Sequence, residues 1–192
     1  DPTGAARKQW VVGPYSYYNQ FRYNPNNEPD LHAPWMYTLI GQPWKTATVL
    51  HAAQRLFTNA PNGVTGNDDL GTMSAWYLFS AMGLYPVVPG TGQFVLHPPR
   101  FARVDIDLGQ GRTLRIDAPQ AEGNKLQYIN HVSLRGRAHP SVWLDWESLQ
   151  QGGRLHVELT GTPPQQGWGT RPDDLPASPC AADAATPPAV GR

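Results

Sequence analysis

The chain has 192 residues, with 15 basic and 15 acidic side chains and a formal net charge of zero. No basic block runs through it, which argues against nucleic acid as a partner, and no apolar run approaches the roughly 18–20 residues that span a bilayer, which argues against a membrane span. Cys180 is the single cysteine, so an internal disulfide is excluded; no two histidines fall at metal-motif spacing, which argues against zinc.

The opening Asp1-Pro2-Thr3-Gly4 is not a signal peptide. Residues 1–13 read as a polar lead-in. Fourteen of the 20 aromatic residues then fall between Trp10 and Tyr85, so the two halves of the chain differ in kind. Tyr15, Tyr17, Tyr18, Phe21 and Tyr23 are dense and without clean period; such density serves a core or a sugar-stacking wall, with core favoured. Asn24 to Asp30 is a loop, because the residue before each proline is pushed out of the helical region. Pro34 suits the first turn of a short helix over Trp35 to Ile40, and Pro43 opens another to about Phe57, with Val49, Ala53, Leu56 and Phe57 on one face. After a turn at Asn59 to Gly63 comes Gly66-Asn67-Asp68-Asp69-Leu70-Gly71, and directly after it the apolar run Met73 to Leu84. One of the two Asp residues is expected to cap that helix, and the run, apolar all round, is expected to be buried.

Beyond Pro86 the period changes to two. Strands are predicted at Phe94 to Leu96, around Val104-Ile106-Leu108, around Leu114-Ile116, and at Gln127–Leu134, Val142–Leu144 and Arg154–Leu159, with a hairpin turn at Gly109-Gln110-Gly111. Alternation with one polar face predicts antiparallel sheet, as half of a sandwich. Asp105 and Asp107 alternate outward and read as solvated. Residues 170–192 hold five prolines and few large aliphatics, and are expected to be disordered. The fold class is therefore α+β, in three parts: helices over 1–90, sandwich-type strands over 91–169 and a Pro/Ala-rich tail over 170–192.

Two loops carry carboxylates, Glu28/Asp30/His32 and Asp68/Asp69. Such groups suit two tasks. Glycoside hydrolysis needs an acid and a base or nucleophile, and hard oxygen donors suit Ca²⁺. The spacing is not that of an EF-hand. A Ser-His-Asp triad stays open, since order along a chain does not identify one, but Gly-x-Ser-x-Gly is absent. The residues alone point equally to an enzyme and to a binding module.

The motifs add more. Asn27-Glu28-Pro29-Asp30-Leu31-His32, Gly41-Gln42-Pro43-Trp44-Lys45-Thr46, Gly66-Asn67-Asp68-Asp69 with Ser74-Ala75-Trp76-Tyr77, and Gly83-Leu84-Tyr85-Pro86-Val87 with Pro89-Gly90 follow in order. Together they resemble glycoside hydrolase family 92, calcium-dependent exo-acting α-mannosidases. The resemblance runs from about Tyr15 to Gly169. It implies the last helices of an (α/α)₆ barrel followed by β-sandwich structure, inversion at the anomeric carbon, and a mannose-containing glycan as substrate. It implies Asp69 as the base that activates water, with Asp68 as second candidate, Glu28 and Asn27 as calcium ligands, and His32, Trp35 and Asn67 around the substrate, with Trp76 more structural. A secreted or periplasmic location follows from the same resemblance.

Departures exist. Asn26 stands where the family has Gly, and Asn67 where many members have Asp. The family's general acid, a Glu in a Glu-Gly-Asn-x-Trp-Gln type of motif, has no counterpart here. The resemblance thus implies the C-terminal part of a longer enzyme, whose N-terminal part would be the chain's partner. The alternative is a catalytically inactive carbohydrate-binding or scaffold module. Helices that lack their barrel neighbours should expose aromatic surface at Tyr15–Tyr23 and Trp35–Trp44.

Overall fold

The computed structural model describes Tyr23, Pro25 and residues 28–61, 63–164 and 166–177. The expectations for residues 1–22, including Tyr15 to Phe21, and for Asn27 lie outside these. Among the described residues no helix is long and apolar enough to cross a membrane.

Short 3-10 turns at Glu28–Asp30 and Ala33–Trp35 lead into α1 (Met36–Leu39), followed by α2 (Pro43–Gln54) and α3 (Thr72–Met82). Pro43 opens α2 as expected, since a proline in the first turn forfeits only an N–H that has no helical partner. The inward face of α2 is Thr46, Ala47, Leu50, Ala53 and Gln54, and the half-buried Val49 is off it. α3 is not buried on all sides. Met73, Trp76, Ser80 and Ala81 face inward, whereas Leu78 is 60% exposed. Gly83 ends α3 at φ +97°, where a side chain would be strained and a Cβ would meet Pro99 at 2.9 Å.

The strand series starts ahead of residue 91. β1 (Leu84–Tyr85), β2 (Gln93–Leu96) and β7 (Trp143–Asp145) form one antiparallel sheet in the order β1-β2-β7. A second sheet has the order β3-β4-β8-β5-β6, from β3 (Arg103–Asp107), β4 (Thr113–Asp117), β5 (Tyr128–Leu134), β6 (Arg137–Ala138) and β8 (Gly153–Thr160). The expectation of a purely antiparallel sheet is corrected here. β8 pairs antiparallel with β5 but parallel with β4, Ile116 opposite Leu155. Local alternation reveals which face of a strand is buried, not which neighbour it meets or in which direction. Leu84, Leu96 and Leu144 of the first sheet share one core with Leu114, Ile116, Val132, Leu155 and Val157 of the second.

A second cluster lies under the helices and unites Leu31, Trp35, Leu50, Ala53, Met73 and Trp76 with Val87 and Val95. The tail is ordered at its start, against expectation. Asp174 is buried, its carbonyl accepts the Val142 N–H at 2.9 Å, and Leu175 packs on the sandwich core. Residues 178–192 lie outside the described residues.

Candidate active site

The first acidic loop is anchored from below. Leu31 and Trp35 are 5% and 0% exposed, so the loop is nailed to the core at two points four residues apart. Trp76 on α3 donates its indole N–H to the Leu31 carbonyl at 3.0 Å. Thr46 on α2 donates to the Pro34 carbonyl at 2.7 Å and accepts from the Thr38 hydroxyl at 2.7 Å. Glu28, Pro29, Asp30 and His32 are left exposed above these anchors.

Trp35 itself corrects an expectation. It is not a substrate-facing aromatic but the middle of the floor. Its ring stacks on Tyr85 at 4.1 Å and meets Trp76 edge-on at 6.1 Å. Phe57 stacks on the far side of Trp76 at 5.5 Å. Tyr23 packs against the same cluster, and burial, then the nearby Asp30 and Tyr85, push its phenol pKa up. Of the aromatic surface expected over Trp35–Trp44, Tyr37 is 39% exposed and Trp44 is half-buried.

The second acidic loop is a tight turn on the N-terminus of α3. Asp69, Leu70 and Gly71 follow one another at φ +47°, +58° and +93°, two of them in a region that non-glycine residues seldom enter. The reversal brings backbone and side chains over the helix end. The Asp68 carbonyl accepts the Met73 N–H at 3.1 Å, and the Asp69 carbonyl accepts the Thr72 N–H at 3.2 Å and its hydroxyl at 2.7 Å. The Asp68 carboxylate accepts the Ser74 N–H at 2.9 Å and its hydroxyl at 2.8 Å. These three residues carry N–H groups that lack helical partners, so Asp68 caps the helix although Gly71 stands at the formal cap position. The same bonds hold the Asp68 carboxyl below its usual pKa.

Asp69 does something else. Its carboxyl group lies close to that of Glu28, across the gap between the two loops, and each acts on the other's titration. The side-chain interaction with Glu28 first, then desolvation and the charges of Glu28 and Asp68, raise the Asp69 pKa; the same interaction lowers that of Glu28. Of the residues singled out from sequence, the fold therefore brings Glu28 and Asp69 together, with Asn67 and His32 exposed on the two loops. It sends Asp68 to the helix end and Trp35 to the core. A cleft of about 740 Å³ borders the acidic turn along Gly66, Ser74, Phe57, Tyr77 and Leu78, but neither Glu28 nor Asp69 lines it.

Sequence reasoning missed the polar groups beneath the floor. His97, which follows β2, is 2% exposed, its Nδ1 accepts the Trp35 indole N–H at 3.0 Å, and its Nε2 lies 2.8 Å from the Ser80 carbonyl on α3. An indole nitrogen only donates, so the ring is neutral with its hydrogen on Nε2, donating to Ser80. Burial lowers its pKa to about 4. Gln54 on α2 donates to the same carbonyl at 2.8 Å. The available signal was a lone histidine closing the apolar run Phe94-Val95-Leu96.

Glu28 and Asp69 place hard oxygen donors near one another, chemistry that fits Ca²⁺, which takes six to eight oxygens. Among the described residues no group of three or more acidic, histidine or cysteine side chains could hold a metal, so the pair would supply only part of such a shell.

Comparison with known proteins accords with this geometry. The chain is 36% identical to a solved family GH92 inverting mannosidase from Bacteroides thetaiotaomicron, covering 88% of this chain and 22% of that one with a TM-score of 0.76. It is 26% identical to a family GH92 alpha-mannosidase of that bacterium solved with mannoimidazole, covering 81% and 20% with a TM-score of 0.76. An uncharacterized secreted glycosidase of Arthroderma benhamiae is 33% identical over 156 residues, 79% of this chain and 20% of that protein. The chain thus spans about a fifth of the length of the relatives it matches. The sequence profile of the glycosyl hydrolase family 92 catalytic domain matches residues 3–161, and the chain belongs to that family.

Proposed function

We propose that the chain carries one side of the active site of an α-mannosidase that releases terminal mannose from glycans with inversion. The observation that carries this reading is the Glu28–Asp69 carboxyl pair, held at the meeting of two loops by separate anchors. The two solved relatives, an inverting mannosidase and an alpha-mannosidase, supply the substrate class.

The division of labour follows from the turn. Asp68 is engaged with Ser74 and holds the helix end. Asp69 presents its carboxylate outward and serves as general base, taking a proton from the water that attacks the anomeric carbon. Glu28, with Asn27 beside it in sequence, would hold calcium, which when bound would supply positive charge favouring the ionised carboxylates and a point on which to orient the sugar. His32 and Asn67 border the sugar from the two loops.

An inverting enzyme sets its acid about 6.5–9.5 Å from its base, with room for water between. The general acid comes from polypeptide outside these 192 residues, where the remaining helices of an (α/α)₆ barrel also belong, since the relatives are about four times as long. The secreted relative supports a location outside the cytoplasm.

The test is mannose release from α-mannosides by the whole polypeptide, with and without EDTA. Release that stops on chelation and returns with calcium is expected. Release indifferent to chelation removes the metal from this reading. Mannose binding without release leaves the inactive sugar-binding module.

A further inference from the structure

Residues far from the reacting groups decide where the two carboxylates stand. Glu28 rides on the loop that ends at Trp35, and Asp69 on the turn that opens α3. These elements are linked at the surface by the carboxyl pair and, at mid-depth, by the bond from Trp76 to the Leu31 carbonyl. Their third link is His97, which takes the Trp35 indole N–H on one nitrogen and binds the Ser80 carbonyl of α3 with the other. The segment after it repeats the attachment through the backbone. The His97 N–H donates to the Gly83 carbonyl at 3.0 Å and the Arg100 N–H to the Ala81 carbonyl at 2.9 Å. The Ser80 and Ala81 carbonyls in the last turn of α3, which lack helical partners, are thus taken up by His97, Arg100 and Gln54.

We infer that His97 is a positioning residue for the Glu28–Asp69 pair, fixing the Trp35 loop against α3 from beneath the floor. The inference rests on the reading of that pair as catalytic. Its two bonds are unequal. Ser80 keeps a second donor in Gln54, whereas the Trp35 N–H, fully buried, has His97 as its acceptor. Loss of the acceptor therefore leaves a desolvated donor unmatched, the costlier case. That is the bond on the side of Glu28.

Two isosteric replacements divide the ring. His97→Asn keeps an acceptor near the place of Nδ1 and gives up the bond to Ser80. His97→Gln keeps a donor near the place of Nε2 and gives up the acceptor for Trp35. Trp35→Phe breaks the same bond from the other side without leaving a donor stranded, and serves where His97→Gln fails to fold.

The experiment compares these variants in the whole enzyme by steady-state kinetics on an α-mannoside. In parallel, carbodiimide labelling of Asp69 and Glu28 is read by mass spectrometry. The expected result is a fall in kcat of about tenfold or more for His97→Gln with KM within about twofold, since small misplacement of a reacting group is costly. His97→Asn should stay within about threefold of wild type. The Asp69 to Glu28 labelling ratio, a measure of how the two loops stand to one another, should depart from the wild-type value in His97→Gln and Trp35→Phe. Combining His97→Gln with Trp35→Phe should cost little beyond either alone, because both remove one bond. A His97→Gln enzyme that melts earlier yet keeps kcat and the labelling ratio overturns the inference and leaves a purely structural histidine. If the wild type releases no mannose, the proposed function fails; the labelling ratio alone then decides the inference, a shift sustaining it and an unchanged ratio overturning it.

Discussion

The helical part and the five-stranded sheet handle polar side chains in opposite ways. Under the helices, Thr38, Thr46, Gln54, Ser80 and His97 are buried, and bonds join them across elements: Thr38 to Thr46, Thr46 to the Pro34 carbonyl, and Gln54 and His97 to the Ser80 carbonyl. On the sheet the charged groups stay near the surface and pair within and across strands. Asp105 bridges Arg103 and Arg115, each at 2.7 Å, and Asp117 binds Arg154 and His156. A buried donor or acceptor that loses its partner forfeits the full cost of desolvation, whereas an exposed ion pair is replaced by water at little loss. The helical part therefore buys positional accuracy for two exposed carboxylates, and the sheet obtains only solubility and register from its charges.

The comparison can be broken most directly at Asp69. Asp69→Asn should lower kcat about a thousandfold, within the range for loss of a general base, with a melting curve like that of wild type, because the carbonyl that Thr72 binds remains. Retained kcat would return the whole acidic turn to the role of a helix cap.

Trp35→Ala comes next. It empties a fully buried site between Tyr85 and Trp76, and should cost about 3–5 kcal/mol of stability in denaturant unfolding. An effect under about 1 kcal/mol would mean that the floor is not packed as described.

Acid should find the buried histidine third. The His97 pKa is lowered in the fold, to about 4 against 6.5, so between those values the unfolded chain binds the extra proton and the folded chain does not. The stability is complete above about pH 6.5 and is lost as pH falls toward 4, by about 3 kcal/mol in all. Unfolding midpoints measured from pH 7 to 4 should fall in wild type and flatten in His97→Asn.

The smallest effects belong to the surface. Asp68→Ala removes a cap shared by the N–H and hydroxyl of Ser74, and should lower the melting temperature slightly while leaving most of kcat. Asp105→Ala on the sheet should move the melting temperature by no more than about 1 °C; a larger drop would show that the charge pairs of the sheet do more than the helical comparison allows.

What could be read in advance follows the same division. Strands β2 to β5 and β8 were legible because alternation is a local property, and Val104, Ile106, Leu114 and Ile116 announce their faces two residues at a time. The parallel contact between Ile116 and Leu155 was not, since nothing in either strand encodes its neighbour. The acidic loops were legible as motifs. The separation of Asp68 from Asp69 was not, because it depends on positive φ at Asp69 and Leu70, residue types that rarely adopt it. Trp35 was misjudged for a related reason. A tryptophan beside a polar loop suits a pocket wall as well as a floor, and the histidine that settles the matter stands 62 residues away.

The placement of β8 has a consequence for how the protein is made. It lies between β4 and β5 and so joins two ladders, β3-β4 and β5-β6, that are complete before it in the chain. Until residues 153–160 leave the ribosome, the edges of β4 and β5 face no partner, and Leu114, Ile116 and Val132 lack Leu155 and Val157 to pack on. At about 5–20 residues per second, the stretch between the end of β4 and the start of β8 takes a few seconds to synthesise. During that interval the nascent chain carries two open strand edges with apolar faces, the feature most prone to pair with the wrong chain. Assembly of this sheet is gated by its last long strand.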